Sequence, residues 1–294
     1  MKKVLIVALI VVMLLSIVGC GAKGDEKITI AHKNYTEQRI TGQVLAVYLE
    51  SKGYETEVKE LAGTMLCFNA LKNGDIDMYA EFTGSAYGAI YEQTEVLTPD
   101  ATYAWVKNAS ETQDKITWLK PLGWNNTYVL SVRPDTAKQY ELTSISDLVA
   151  VSGDLIIGSD PEFLNRADGM PGLKEAYTGL AFKDEMAMDQ GLTYAALDSK
   201  DLDVNTSFST DGRIAKFGFI NLIDDLNFFP PYYVTPILGM EYADENPEIV
   251  AALNELGGNW NDEELQMYNL SVDEGEKTVR EAAELMLKDA GLID

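Results

Sequence analysis

The sequence predicts an α/β protein of two similar lobes with a ligand cleft between them, and three observations carry that prediction. Segments of strand and helix character alternate from residue 28 onward. A long internal repeat doubles the pattern: Ala70-Leu71, Asp75-Ile76-Asp77-Met78 and Phe82-Thr83 recur 126 residues later as Ala196-Leu197, Asp201-Leu202-Asp203-Val204 and Phe208-Ser209, and Ile28-Thr29-Ile30 returns as Leu155-Ile156-Ile157 at an offset of 127. Copies so far apart and so degenerate do not make a solenoid; they suit two lobes of one kind. The chain beyond residue 19 is about 275 residues long, enough for one large domain or two smaller ones.

The elements follow in order. Residues 28–30 read as a strand leading into the core, followed by a loop, His32-Lys33-Asn34-Tyr35. Thr36 or a neighbour is expected to cap a helix in which Ile40, Val44, Val47 and Tyr48 recur at helical spacing, with Gly53 ending it. Residues 55–61 read as a second strand, 64–72 as a helix stopped by Asn73-Gly74, and 76–79 as a third strand. Strands alternating with helices predict a parallel sheet. Asp224-Asp225 follows the strand-like residues 220–223 and reads as a turn or cap rather than an acid–base or metal pair.

The first residues predict export. Lys2 and Lys3 precede an apolar run over 4–15, and Ile17-Val18-Gly19-Cys20 closes the segment. That run is too short to span a membrane and has the order of an export signal. The segment ending in Cys20 resembles a lipobox, which implies a signal peptide over 1–19, a lipidated Cys20 and a short polar tether over 20–27. Loss of Lys2 and Lys3 takes the net charge from −24 to −26, with the acidic residues dispersed. A surface of that sign repels nucleic acid and keeps the chain soluble.

Much catalytic chemistry has no residues here to perform it. His32 is the single histidine, and no Gly-x-Ser-x-Gly elbow accompanies it. There is no His-Glu-x-x-His or Cys-x-x-Cys pair for a metal, and no Gly-rich loop for a nucleotide. Beyond Cys20 only Cys67 remains, inside the apolar run Met65-Leu66-Cys67-Phe68, so an intrachain disulfide is excluded and Cys67 reads as a small core residue.

Aromatic clusters stand at loop positions instead: Trp124-Asn125-Asn126-Thr127-Tyr128 and Phe228-Phe229-Pro230-Pro231-Tyr232-Tyr233. Proline-stiffened loops bearing rings make good pocket walls. Ring faces attract a quaternary ammonium, which lacks the N–H needed for an ordinary hydrogen bond. Phe82 and Phe208 follow the Asp-apolar-Asp segments of the two copies. Ligands of α/β sheets lie at the carboxyl ends of strands, so these rings fit either facing cleft walls or ordinary core. Arg166 follows the loop Gly158-Ser159-Asp160-Pro161-Glu162-Phe163, and Lys33 holds a matching place in the first copy. An arginine there suits a carboxylate clamp or a structural ion pair.

Taken together, Lys33-Asn34-Tyr35-Thr36-Glu37-Gln38, Leu71-Lys72-Asn73-Gly74-Asp75-Ile76-Asp77-Met78-Tyr79, Glu81-Phe82-Thr83-Gly84, Arg166-Ala167-Asp168-Gly169, Ser209-Thr210-Asp211-Gly212-Arg213 and Asp224-Asp225 with Phe229-Pro230-Pro231-Tyr232 resemble a known family. It comprises the substrate-binding proteins of osmoprotectant ABC importers, the glycine betaine, choline and carnitine binders often called OpuAC-like or ProX-like. The resemblance runs from about residue 28 to 292. It implies a type II periplasmic-binding-protein fold with two hinge crossovers, lobe 1 formed by 28–126 plus 230–294 and lobe 2 by 127–229. It implies an aromatic box at Phe82, Tyr128, Phe208 and Tyr232, helped by backbone oxygen near Asn126. A betaine carboxylate would then meet Lys33 and Arg166, with Ser85 as a hydroxyl donor.

Phe82 and Phe208 stand where the family usually has tyrosine, and Ser85 where betaine binders tend to have threonine. The resemblance further implies no cofactor and no metal, a monomer lipid-anchored outside the cell, and two partners, a membrane permease and its ATPase subunit. Two other classes are compatible with the same lobes. One is a sensory or adaptor module for another solute. The other is an enzyme such as hydroxymethylbilane synthase, for which Cys67 is a poor reactive thiol.

Overall fold

The computed structural model describes residues 27–294. The expected signal peptide, Cys20 and all of the tether but Lys27 lie outside the described residues.

Two five-stranded sheets organise the chain. The first contains β1 (Ile28–His32), β2 (Thr56–Glu60), β3 (Met78–Phe82), β4 (Ile116–Trp118) and β10 (Val234–Gly239), in the order β2-β1-β3-β10-β4. The second contains β5 (Tyr128–Val132), β6 (Ile156–Ser159), β7 (Asp184–Ala187), β8 (Val204–Phe208) and β9 (Ile220–Asn221), in the order β7-β6-β8-β5-β9. The orders correspond strand for strand, with β1 matching β6, β3 matching β8 and β10 matching β5.

Both sheets are mixed, which corrects the expectation of parallel ones. β1 runs parallel to β2 and β3, and β6 to β7 and β8. β10 is antiparallel to β3 and β4, and β5 to β8 and β9. The reason is connectivity. A parallel neighbour needs a helical crossover within its own sheet. β5 and β10 instead receive the chain from the other sheet, through residues 119–127 and 222–233, and enter in the opposite sense.

The Asp-apolar-Asp repeat has a physical basis. Asp77 Oδ2 accepts the Thr29 N–H at 2.7 Å, and Asp203 Oδ2 accepts the Ile156 N–H at 3.0 Å. The backbone returns the bond: the N–H of Asp77 donates to the Thr29 carbonyl and that of Asp203 to the Ile156 carbonyl, each at 2.9 Å. Each carboxylate thus ties the start of one central strand to the turn entering the next. The preceding helices end alike, in left-handed residues at Gly74 (φ +77°) and Lys200 (φ +70°). Glycine adopts that conformation freely, whereas a lysine there is strained by about 1 kcal/mol.

The third strand begins at Met78, two residues later than expected, because Ile76 and Asp77 belong to this turn. Phe82 and Phe208 are therefore the last residues of β3 and β8.

The helix Thr36–Ser51 buries Ile40, Val44, Leu45, Val47 and Tyr48 under the first sheet. It packs there against the C-terminal helix Val279–Asp289. Its cap differs from expectation. Tyr35 holds the N-cap position without a side-chain bond, and the Thr36 hydroxyl donates to Asp273 Oδ1 at 2.5 Å. Asp224 organises a turn, as its sequence suggests: its carboxylate accepts from the N–H groups of Phe228 and Phe229 at 3.0 and 2.8 Å. Cys67 is buried, and burial pushes its thiol up to about 12.

Candidate functional site

The two crossovers between the sheets lie side by side. Asn125 and Tyr233 form an isolated antiparallel bridge. The Asn126 N–H donates to the Tyr232 carbonyl at 3.1 Å, and the Tyr232 N–H donates to Asn125 Oδ1 at 2.7 Å. Asn126 and Tyr232 are therefore hinge residues as well as wall residues of the cavity that opens beside them.

That cavity, of about 400 Å³, is lined from both sheets and from the crossovers. Every ligand-binding residue expected from the sequence borders it: Lys33, Phe82, Ser85, Asn126, Tyr128, Arg166, Phe208 and Tyr232. Phe82 and Phe208 arrive at the carboxyl ends of β3 and β8, where α/β sheets bind ligands. Tyr128 opens β5, and its ring centroid lies 5.2 Å from Phe208 and 5.5 Å from Tyr232, the latter at 86°. Phe163 and Phe229 back Tyr128 at 4.8 and 5.9 Å. Burial raises the Tyr128 and Tyr232 phenols well above the ordinary range, so both present neutral rings.

The two cations of the cavity already have partners. Lys33 Nζ donates to Glu81 Oε1 at 2.6 Å and Thr64 Oγ1 at 2.8 Å, and stands 5.4 Å from the centre of the Phe82 ring. Arg166 Nε donates to Asp168 Oδ1 at 2.8 Å, its Nη2 reaches Asp168 Oδ2, and its Nη1 lies 3.4 Å from Glu162 Oε1. Glu162 also accepts the Thr64 N–H at 3.3 Å, so the lobes touch across the mouth. Burial works against its charge, but Lys33 and Arg166 outweigh it and hold its carboxyl below the usual range.

Sequence reasoning missed several members. Tyr35 lines the cavity with its ring 5.2 Å from Phe208. Its signal was its place in the same loop as Lys33. Asp160, Glu162, Asp189 and Gln190 also line the wall. Glu37, behind the wall, is a buried carboxylate. It accepts from Trp124 Nε1 and Asn126 Nδ2 at 2.9 Å each, from Asn269 Nδ2 at 3.2 Å and from the Thr210 hydroxyl. Burial raises its pKa against these four donors.

Gly84 is required by close approach, since a Cβ there would fall 2.6 Å from the Tyr232 ring. Among the described residues, no group of three or more His, Cys, Asp or Glu side chains could hold a metal ion. No helix among them is long and apolar enough to cross a membrane.

Two matched lobes around a ring-walled cavity define a solute-binding protein. Residues 26–289 match the OpuAC family, the substrate binding domain of the ABC-type glycine betaine transport system, and the chain belongs to that family. It is 34% identical over 262 residues to the carnitine transport binding protein OpuCC of Listeria monocytogenes, covering 88% of this chain and 85% of that one. It is 32% identical over 285 residues to a glycine-betaine-binding protein of Pseudomonas aeruginosa, covering 93% and 91%. A crystal structure of a glycine betaine/carnitine/choline ABC transporter superposes with a TM-score of 0.74 at 30% identity, covering 91% of this chain and all of that one. The protein is thus an extracytoplasmic solute-binding component of an ABC importer with a two-lobed type II fold, and not an enzyme.

Proposed function

We propose that the protein captures a solute with a quaternary ammonium head by enclosing that head among Phe82, Tyr128, Phe208 and Tyr232. The observation that carries this reading is the convergence of these four rings, from both sheets and a crossover, on one cavity. Each desolvated ring contact with a cation contributes ~0.5–2 kcal/mol. Phe82 and Phe208 keep the ring face but lack the hydroxyl that orients a tyrosine. Backbone oxygen near Asn126 adds to the box, and Lys33, Arg166 and Ser85 meet the solute's tail. The relatives named for carnitine and glycine betaine bind solutes with such a head, which supports the reading.

The ligand bridges the lobes, 28–126 with 230–294 and 127–229, and shifts the population toward closure. Closure excludes water and strengthens the ring contacts. The closed protein, a monomer held to the membrane by lipid on Cys20, then delivers the solute to a permease driven by a separate ATPase subunit.

Calorimetric titration with quaternary ammonium compounds and plain amino acids tests the reading. Quaternary ammonium compounds should bind and amino acids should not. Tyr128→Leu, which keeps bulk but removes the ring face, should weaken binding about tenfold or more. Unchanged affinity in that variant would count against the ring box.

A further inference from the structure

One helix in each lobe turns the same face to its core and the same leucine to water. The helix Thr64–Asn73 joins β2 to β3 and the helix Gln190–Asp198 joins β7 to β8, so the two hold equivalent places in the two sheets. Their first residues stand 126 positions apart, the offset of the sequence repeat. The buried residues match at that same offset: Cys67, Phe68 and Leu71 in the first helix, Thr193, Tyr194 and Leu197 in the second. With the inward faces in register, the outward faces are in register too. Leu66 and Leu192, each the third residue of its helix, are 54% and 60% exposed. An exposed methionine accompanies each: Met65 beside Leu66, and Met186 on β7, the strand before the second helix.

Both helices start at the cavity, since Thr64 and Gln190 line its wall. The leucines therefore flank the cleft, one on each lobe. A single exposed leucine is ordinary. A pair at equivalent places on two lobes makes a surface with its own approximate two-fold symmetry, which fits a partner with two like contact sites. The net charge of −24 holds copies of the chain apart, which argues against a second copy as that partner. The partner that an ABC importer supplies is its membrane permease.

We propose that Leu66 and Leu192 are paired anchors that dock the chain on the permease, each entering one of two equivalent apolar pockets. Because the leucines ride on separate lobes, closure sets the distance between them. The pair thus lets the permease accept one lobe arrangement and refuse others. This rests on the reading that the chain delivers its solute to a permease, and it is independent of the ring box.

Association of the full chain with its permease–ATPase complex in lipid nanodiscs tests the assignment, measured by surface plasmon resonance with and without glycine betaine. Leu66→Gln and Leu192→Gln remove the apolar anchor and keep a helix-forming side chain without adding charge. Each should weaken association about tenfold or more, the scale of burying a leucine side chain. Ile223→Gln is the control. Ile223 is 65% exposed and follows β9, at the opposite edge of the second sheet from β7, so its replacement should change association less than twofold. Thermal melting like that of the wild type shows that the variants are folded. Unchanged association in either leucine variant, or an equal loss in Ile223→Gln, overturns the pairing and leaves delivery to the permease standing. Failure of the wild-type chain to associate under both conditions overturns delivery itself, and the inference with it.

Discussion

Glu37 and Asn126 join the first turn of a lobe helix to the hinge: the carboxylate, wholly inside the protein, accepts the asparagine side-chain amide at 2.9 Å. Through the same two oxygens Glu37 holds Trp124 on one crossover, Thr210 beyond β8 and Asn269 near the C-terminus. Because the amide is held, the Asn126 side chain is fixed in one orientation. Glu37→Gln swaps one accepting oxygen for a donor facing donors. It should destabilise the fold by about 1–3 kcal/mol, read by urea unfolding, and weaken solute binding severalfold. Unchanged binding at reduced stability would limit Glu37 to the fold.

Gly84→Ala tests the close approach to Tyr232. A Cβ 2.6 Å from the ring cannot be accommodated without moving that ring. A stability loss of about 1–3 kcal/mol is expected, together with a loss of affinity for a quaternary ammonium compound at least as large as that of Tyr232→Leu. Wild-type affinity in the alanine variant would show that the ring can shift without consequence.

Asp77→Ala and Asp203→Ala remove equivalent carboxylates from the two sheets. Each frees a partly buried N–H of the neighbouring central strand, at Thr29 or at Ile156. Losses of about 1–3 kcal/mol each are expected. The sites lie in different sheets, so the double variant should show the sum to within about 0.5 kcal/mol. A clear departure from that sum, measured by chemical unfolding, would reveal coupling between the lobes that separate sheets do not predict.

Asp160 gives binding a pH dependence. Burial raises its carboxyl above the ordinary 3.8, outweighing the bond from the Phe163 N–H. The carboxylate is charged on the alkaline side of the shifted value and neutral on the acid side. Affinity for a cationic solute should therefore be highest on the alkaline side of that raised value and fall as the solution is acidified through it, at a pH above 3.8. Glu162 is shifted the opposite way, held below its ordinary range against burial by Lys33 and Arg166. Titrations between neutral and mildly acid pH check this, and Asp160→Asn should flatten the profile. An equal acid loss in that variant would assign the effect to another group.

The legible part of the fold and site was the part written locally. Phe82 and Phe208 stand at fixed steps after a repeated Asp-apolar-Asp turn, so their placement at two strand ends follows from short-range pattern. Tyr128 and Tyr232 sit in aromatic, proline-marked stretches that cannot continue a helix. The antiparallel sense of β5 and β10 was not legible, because strand direction depends on where the chain crosses and not on hydropathy. Glu37 shows the same limit for the site. An acid in the first turn of a helix ordinarily reads as a solvated residue favoured by the helix dipole. Its partners lie 87, 89, 173 and 232 residues away, and only the folded chain brings them together.

Residues 119–127 and 222–233 run next to each other and are stitched at Asn125–Tyr233 and Asn126–Tyr232. Two separate flexible straps would let the halves twist as well as gape. A laced pair is stiff to torsion and compliant to bending, so motion is channelled into a single clamshell swing about the lacing. Asn126 and Tyr232 stand on that axis and travel least; Phe82 and Phe208, strand partners of Val234 and Tyr128 beside it, separate less than Thr64 and Glu162 at the mouth.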